Sequence, residues 1–348
     1  MSEPSFVTVN WTAVKRLMDA QGLTIEPLSS RVAISLATLK RWRDGHNARP
    51  AQVIKLANFF RVDIQTLCRP DAFAAGASHP MTGTVEWKPD GALDQLRLTP
   101  NGLSVVVCRM KHQHIANRLA RGKYYPLVTV PAAQRNTLTE KLLRHSEVCS
   151  RIPSHPNVAR NLSTNYGEAK TDWWVIDEWV GESLLSDLVD ESPLDAASLP
   201  KILTGVTAGL LQLHAADIIF RELSPNRVLI RDATLEPVLT DFELAKLLDG
   251  SPSVSTAWKE DCYRAPEVES GVFDVRADYY SLARVAEYCV GGDVDTETDL
   301  QSLWKKDGMP KRVVDWLMAA SSPIPEDRPG STDSLLADLQ RWKGKATP

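Results

Sequence analysis

Cysteine is scarce in this chain and poorly placed for chemistry. The 348 residues include five cysteines (Cys68, Cys108, Cys149, Cys262 and Cys289), scattered, odd in number and without a C-x-x-C pair. That pattern argues against a zinc site or a disulfide framework and fits a reducing compartment, with the thiols as buried structural groups. Long apolar runs are also missing: none approaches the ~20 residues that span a bilayer. The opening Met1-Ser2-Glu3-Pro4 has no basic region leading into an apolar core, so no signal peptide is expected and the expected location is the cytoplasm. Acidic residues are few at one end only. Residues 1–70 hold ten Lys/Arg and five Asp/Glu, a net +5, which leaves −9 for the remainder of a chain whose total is −4. A basic head on an acidic body points to a polyanionic partner at the head alone. Apolar residues make up 43% of the chain, which excludes wholesale disorder.

The basic head is patterned for helices. Trp11, Val14, Leu17 and Met18 recur at helical spacing, and Gly22 ends that run. Thr24 is a suitable N-cap for a second helix carrying Leu28 and Val32, with Pro27 tolerated in its first turn. Ser35 can cap a third helix from Leu36 to Asp44, closed by Gly45. Val53, Ile54, Leu56, Ala57 and Phe60 predict a fourth after Pro50, and Ile64 and Leu67 a short fifth. The order Leu23-Thr24, Ala33-Ile34-Ser35, Thr38-Leu39-Lys40-Arg41-Trp42, Gly45, Arg49-Pro50 and Ile54-Lys55-Leu56-Ala57 resembles the Cro/repressor-type helix-turn-helix family over about residues 8–69. The resemblance implies that the third helix enters the major groove of double-stranded DNA. Leu36 and Ala37 are then placed to touch a thymine methyl, and Lys40 or Arg41 to reach guanine or phosphate. Thr38, Lys15, Arg31 and Arg43 are expected on phosphate, while Leu39 and Trp42 pack inward. A homodimer is implied by the resemblance only.

Residues 70–82 are small and Pro/Gly-flanked and read as a linker. Beyond them, apolar β-branched runs at 103–108, 126–130 and 173–180 predict strands, with a helix between the last two. Further on comes Phe220-Arg221-Glu222-Leu223-Ser224-Pro225-Asn226-Arg227-Val228-Leu229-Ile230, followed by Thr240-Asp241-Phe242-Glu243, Tyr263-Arg264-Ala265-Pro266-Glu267, Val275-Arg276-Ala277-Asp278 and Glu326-Asp327-Arg328-Pro329. This series resembles the catalytic loop, D-F-G, A-P-E and later motifs of protein kinases.

The resemblance implies a bilobal kinase-like domain, its small lobe over 83–180 and its large lobe over 181–348. It also implies structural roles for Asp278, which braces the catalytic loop, and for the pair Glu267 and Arg328. Arg221 is implied to receive a phosphate from the segment holding Ser251, Ser253, Ser255 and Thr256; a plain polar loop is the other reading. The groups that act on ATP depart from the pattern. Glu222 replaces the base Asp, an extra methylene that displaces the base by about 1 Å. Arg227 replaces the metal-binding Asn, Glu243 the glycine, and Ser224 the catalytic-loop Lys. Glu260 stands where a Thr is usual. His112-Gln113-His114-Ile115-Ala116-Asn117 is assigned to the place of the Gly-rich turn, and no glycine lies between Gly102 and Gly122. The lysine position falls on Val130, with Lys111 or Lys123 as substitutes from a neighbouring strand. Glu147 is the candidate helix glutamate, better read as a surface residue, and His112 and His114 are strand-surface residues.

The expected fold is therefore multidomain: an all-α helix-turn-helix domain (1–69), a linker (70–82) and an α+β kinase-like domain. The expected function is a bacterial-type, DNA-binding transcriptional regulator whose pseudokinase domain senses a ligand or binds a protein partner. No cofactor is expected; ATP with Mg²⁺ is the alternative, through Asp241 and hinge backbone at Glu178 and Val180. Two other classes stay open. One is an unorthodox Ser/Thr kinase or nucleotidyl transferase using Glu222 and Asp241. The other is a signalling scaffold that does not touch DNA.

Overall fold

The computed structural model describes residues 7–32, 34–48, 50–60, 62, 67, 83–93, 97–98, 104–127, 132–167, 172–231, 233–249, 262–271, 274–292, 294 and 308–342. The chain divides into two compact units, Met1–Pro131 with Asn165–Ile176, and Ala132–Thr164 with Asp177–Pro348. The linker assigned to 70–82 lies outside the described residues, as do Val130, Glu260 and the Ser251, Ser253, Ser255 and Thr256 group. Among the described residues no helix is long and apolar enough to cross a membrane.

The first unit begins with a helical region. Strand β1 (Val7–Thr8) leads into helices α1 (Trp11–Ala20), α2 (Ile25–Val32) and α3 (Leu36–Arg43). Strand β2 (Asn47–Ala48) pairs with β1, and α4 (Pro50–Phe60) follows. Polar side chains start the helices where the sequence offers them. The Asn10 carboxamide oxygen accepts from the Ala13 N–H at 3.3 Å, and the Ser35 hydroxyl accepts from the Thr38 N–H at 3.1 Å. Gly45, just beyond α3, takes φ +93°, a left-handed conformation that favours glycine. The inward faces form one apolar cluster that includes Val14, Leu28, Leu39, Trp42, Val53 and Leu56, all almost fully buried. The cap at α3 gives a simple check. Ser35→Ala is expected to destabilise this region by about 1 kcal/mol, and Ser35→Asp to preserve it; thermal denaturation of the two variants reads the difference.

Beyond the helical region the chain forms a sheet. Its strands are β3 (Trp87–Leu93), β4 (Arg97–Leu98), β5 (Ser104–His112), β6 (Leu119–Tyr125), β7 (Asn161–Tyr166) and β8 (Trp173–Glu178). The order is β3-β5-β6-β8-β7, with β4 paired to β5. β5 and β6 are antiparallel, with Val107 opposite Lys123 and Cys108 opposite Gly122. The runs at 103–108 and 173–180 form strands over 104–108 and 173–178. The run at 126–130 does not do so where it is described: Pro126 and Leu127 lie outside any strand, and Pro126 has no N–H to give a ladder. The strand that adjoins β8 is β6, whose Arg121-Gly122-Lys123 gives no apolar signal. The turn at 113–118 joins β5 to β6.

The second unit is mostly helical. It contains α5 (Ala132–Arg151), α6 (Leu185–Glu191), α7 (Ser198–His214), α8 (Arg276–Gly291), α9 (Lys311–Ala320) and α10 (Asp333–Arg341). Between α7 and α8 run the short strands β9 (Ile218–Ile219), β10 (Val228–Arg231), β11 (Glu236–Leu239) and β12 (Lys246–Leu247). β10 pairs with β11 and β9 with β12, both antiparallel. One large apolar core, including Leu203, Leu210, Phe220, Phe242, Leu282 and Leu317, runs beneath these strands and between the helices. Burial of that core is the main driving force for this unit.

Candidate functional site

The hairpin of β10 and β11 builds the site. Val228 stands opposite Leu239, so the residues just outside it, Arg227 and Thr240, are neighbours. The Thr240 N–H donates to the Arg227 carbonyl at 3.0 Å. This register brings Asp241, next in the chain, within reach of the Arg227 side chain. A single 3₁₀ turn, Pro225–Arg227, returns the same arginine toward Glu222. Arg227 then donates one N–H to Asp241 Oδ2 and another to Glu222 Oε2, each at 3.2 Å. The three side chains are only 5–14% exposed, so these charge-assisted bonds are stronger than surface pairs. The Thr240 hydroxyl donates to the other Asp241 oxygen at 3.3 Å. Glu243, at the third place of the D-F-E run, is buried.

Two residues here hold left-handed backbone conformations without being glycine: Arg221 at φ +70° and Asp241 at φ +66°. Each such conformation costs about 1–3 kcal/mol and persists only where its surroundings over-determine it. For Arg221 the surroundings are explicit. Fully buried Asp278, in the first turn of α8, accepts the Phe220 N–H through Oδ2 and the Arg221 N–H through Oδ1, both at 2.8 Å. His214 Nε2 lies 2.8 Å from the same Oδ2. The Arg221 guanidinium donates to the Leu244 carbonyl at 3.0 Å. Burial lowers its pKa to about 10, aided by the neighbouring Arg264 and Arg144 and opposed by Glu222 and Asp278; it remains a cation at neutral pH.

The other sequence-derived residues are placed as follows. Arg328 makes a two-pronged pair with Glu267, at 2.6 and 2.8 Å, and also donates to the carbonyls of Arg276 and Ser322. The Glu178 N–H is taken by the Arg160 carbonyl at 2.8 Å. Val180 is buried against Ala159, Leu229 and Val238. Glu147 pairs with Arg151 and Arg144 along α5, as a helix-surface glutamate does. In the helical region Lys40 and Arg43 are exposed, Leu36, Ala37 and Arg41 half-buried, and Leu39 and Trp42 buried. Thr38 departs from its expected role on phosphate. It is 5% exposed, with its hydroxyl 2.8 Å from that of Ser35, so the cap has drawn it inward.

Lys123, named from the sequence only as a substitute, is 2% exposed on β6, the strand that adjoins β8. Sequence reasoning missed a buried cluster around His145 on α5, which bonds to Asp177 on β8 and to the Phe242 N–H. An isolated histidine in a helix gives no sequence signal for either partner.

A family model described as the protein kinase domain matches residues 102–336. The match covers more than half of the chain, and the chain belongs to the protein kinase domain family. It is 28% identical over 189 residues to the mitogen-activated protein kinase HOG1 of Hortaea werneckii, covering 53% of this chain and 49% of that one. It is 25% identical over 223 residues to the serine/threonine-protein kinase Pkn3 of Myxococcus xanthus, covering 57% and 41%. The chain thus spans about half the length, or less, of these curated relatives.

Proposed function

We propose that the kinase domain of this chain is impaired in metal-dependent phosphoryl transfer and serves as a cytoplasmic regulatory module, sensing a ligand or binding a protein partner. The observation that carries this reading is the Arg227 guanidinium shared between Glu222 and Asp241 at 3.2 Å each. In working kinases the D-F-G aspartate and the catalytic-loop asparagine hold Mg²⁺, and the catalytic-loop aspartate takes the hydroxyl proton. Here the asparagine's place is a cation that cannot ligate a metal. It consumes one oxygen of Asp241, and Thr240 bonds the other. These residues do not fit a second Mg²⁺, and a carboxylate already bonded to a guanidinium is a weaker base. Incubation of the full chain with labelled ATP and Mg²⁺ tests the proposal. Phosphate transfer no greater than that of Asp241→Ala is expected, whereas turnover that vanishes in Asp241→Ala would sink it.

A second reading, an unorthodox Ser/Thr kinase or nucleotidyl transferase, is favoured by Lys123. A buried lysine on the strand beside β8 suits the phosphate-binding lysine of the family, and both acids, Glu222 and Asp241, are present. The same ATP experiment decides between the two, with Lys123→Ala as the informative partner variant.

For the helical region we propose binding to double-stranded DNA. The supporting observation is that α3 turns Leu39 and Trp42 inward while Lys40 and Arg43 stay in solvent. Lys40 and Arg41 would meet bases or phosphate, Arg43 phosphate, and Leu36 and Ala37 a thymine methyl. Thr38 is left out of that set. A homodimer on a two-fold DNA site belongs to the same proposal.

A further inference from the structure

The Asp241-Phe242-Glu243 segment is also held from α5. His145 is 0% exposed on α5, with its ring stacked on that of Phe242 at 5.4 Å between centroids and 19° between planes. Its Nδ1 lies 3.1 Å from the Phe242 backbone nitrogen. A backbone amide can only donate, so Nδ1 must accept and carries no proton. The ring proton is therefore on Nε2, which points at Asp177 Oδ1, 2.8 Å away. The Asn161 carboxamide on β7 donates to the same oxygen at 3.0 Å, so this oxygen is an acceptor from both sides. The Cys149 thiol, 3.6 Å from Nε2, directs its proton to the Ala159 carbonyl at 3.4 Å and does not compete.

We propose that His145 is a positioning residue for the Asp241-Phe242-Glu243 segment, and that Asp177 acts through it by fixing the Nε2–H tautomer. The chain of dependence is short. Asp177 selects which nitrogen is protonated, the free Nδ1 holds the Phe242 N–H, and that bond anchors the peptide immediately after the left-handed Asp241. An imidazole in the other tautomer would set its own N–H against that of Phe242 and release the segment from α5. Second partners that fix ring orientation in this way are well known around functional histidines. The inference stands whether or not the domain transfers phosphate.

Selective ¹⁵N labelling of the full chain tests it, because phenylalanine supplies both the probe and its control. The Phe242 amide is held by His145, and the Phe220 amide by Asp278. His145→Phe keeps an apolar ring against Phe242 but removes the acceptor. The expected result is that exchange of the Phe242 amide rises about tenfold, while the Phe220 amide is unchanged. His145→Gln, with an oxygen acceptor, is expected to recover part of the protection. Where His145→Phe loosens the whole unit, so that both amides speed up, the imidazole ¹⁵N spectrum decides instead. The unaltered chain should show His145 protonated on Nε2 alone, and Asp177→Asn should mix the two tautomers. Unchanged Phe242 exchange in a folded His145→Phe, or a proton on Nδ1 in the unaltered chain, overturns the proposal.

Discussion

Replacing Asp278 with alanine is expected to destabilise the unit of Ala132–Thr164 and Asp177–Pro348 by about 3–5 kcal/mol. The carboxylate is 0% exposed and accepts two backbone N–H groups, those of Phe220 and Arg221, with His214 Nε2 2.8 Å from it. Alanine removes all of these acceptors. Each buried N–H left without a partner carries a penalty of about 1–3 kcal/mol. Arg221 adds to the loss: its left-handed φ of +70° is held against its own preference by these bonds. Asp278→Asn separates the contributions, since it conserves volume and one acceptor but turns an NH₂ toward a donor; its loss should be intermediate. Domains of this size hold only ~5–15 kcal/mol in total, so the alanine variant stands near the edge of folding. Urea denaturation followed by circular dichroism measures both variants. A loss under about 1 kcal/mol for alanine would mean that the loop is held mainly by its apolar burial.

How much of this was legible in the sequence follows from what each residue does. Asp278, Glu267 and Arg328 sit in motifs whose spacing names their partners, so sequence alone led to pairs that lie at hydrogen-bond distance. The helices of the N-terminal region were legible because caps and breakers are local: Ser35 and Gly45 mark α3 without any knowledge of its neighbours. β6 was not legible, because Ala120 to Tyr125 are all buried although Arg121, Gly122 and Lys123 break any apolar run, and strand patterning assumes that buried means apolar. The expected lysine was placed on Val130, which lies outside the described residues, with Lys123 only as a substitute. The shared bonds of Arg227 were legible only by half. Substitution of the metal-binding residue shows in the sequence, but that one guanidinium reaches both Glu222 and Asp241 depends on the register of β10 and β11. His145 and Asp177 lie 32 residues apart, on elements that meet only through the fold, and no local pattern links them.

The second large effect is expected at the N-terminal region, where affinity for a DNA duplex should fall steeply with salt. Cations that neutralise phosphates release condensed counterions, so log K drops linearly with log salt, by about 0.9 per phosphate contacted. Lys15, Arg31, Lys40 and Arg43 are all exposed on the described helices. Four contacts in one protomer, doubled in a two-fold dimer, place the complex in the range that loses ~10³-fold or more between 50 and 200 mM salt. The residues then separate by role. Arg43→Ala should weaken all duplexes alike and flatten the salt slope by about 0.9 per protomer, about 1.8 in the two-fold dimer, because a phosphate contact carries no sequence information. Lys40→Ala, on the exposed side of the same helix, should also reduce discrimination between duplexes if it meets a base edge. Thr38→Ala provides the contrast. Its hydroxyl is spent on Ser35 at 2.8 Å, so it should alter helix stability and leave the salt slope untouched. Titration of the full chain against duplexes of varied sequence at several salt concentrations gives all three readings. A flat salt response would remove DNA from the account and leave the exposed basic face of α3 to an acidic protein surface.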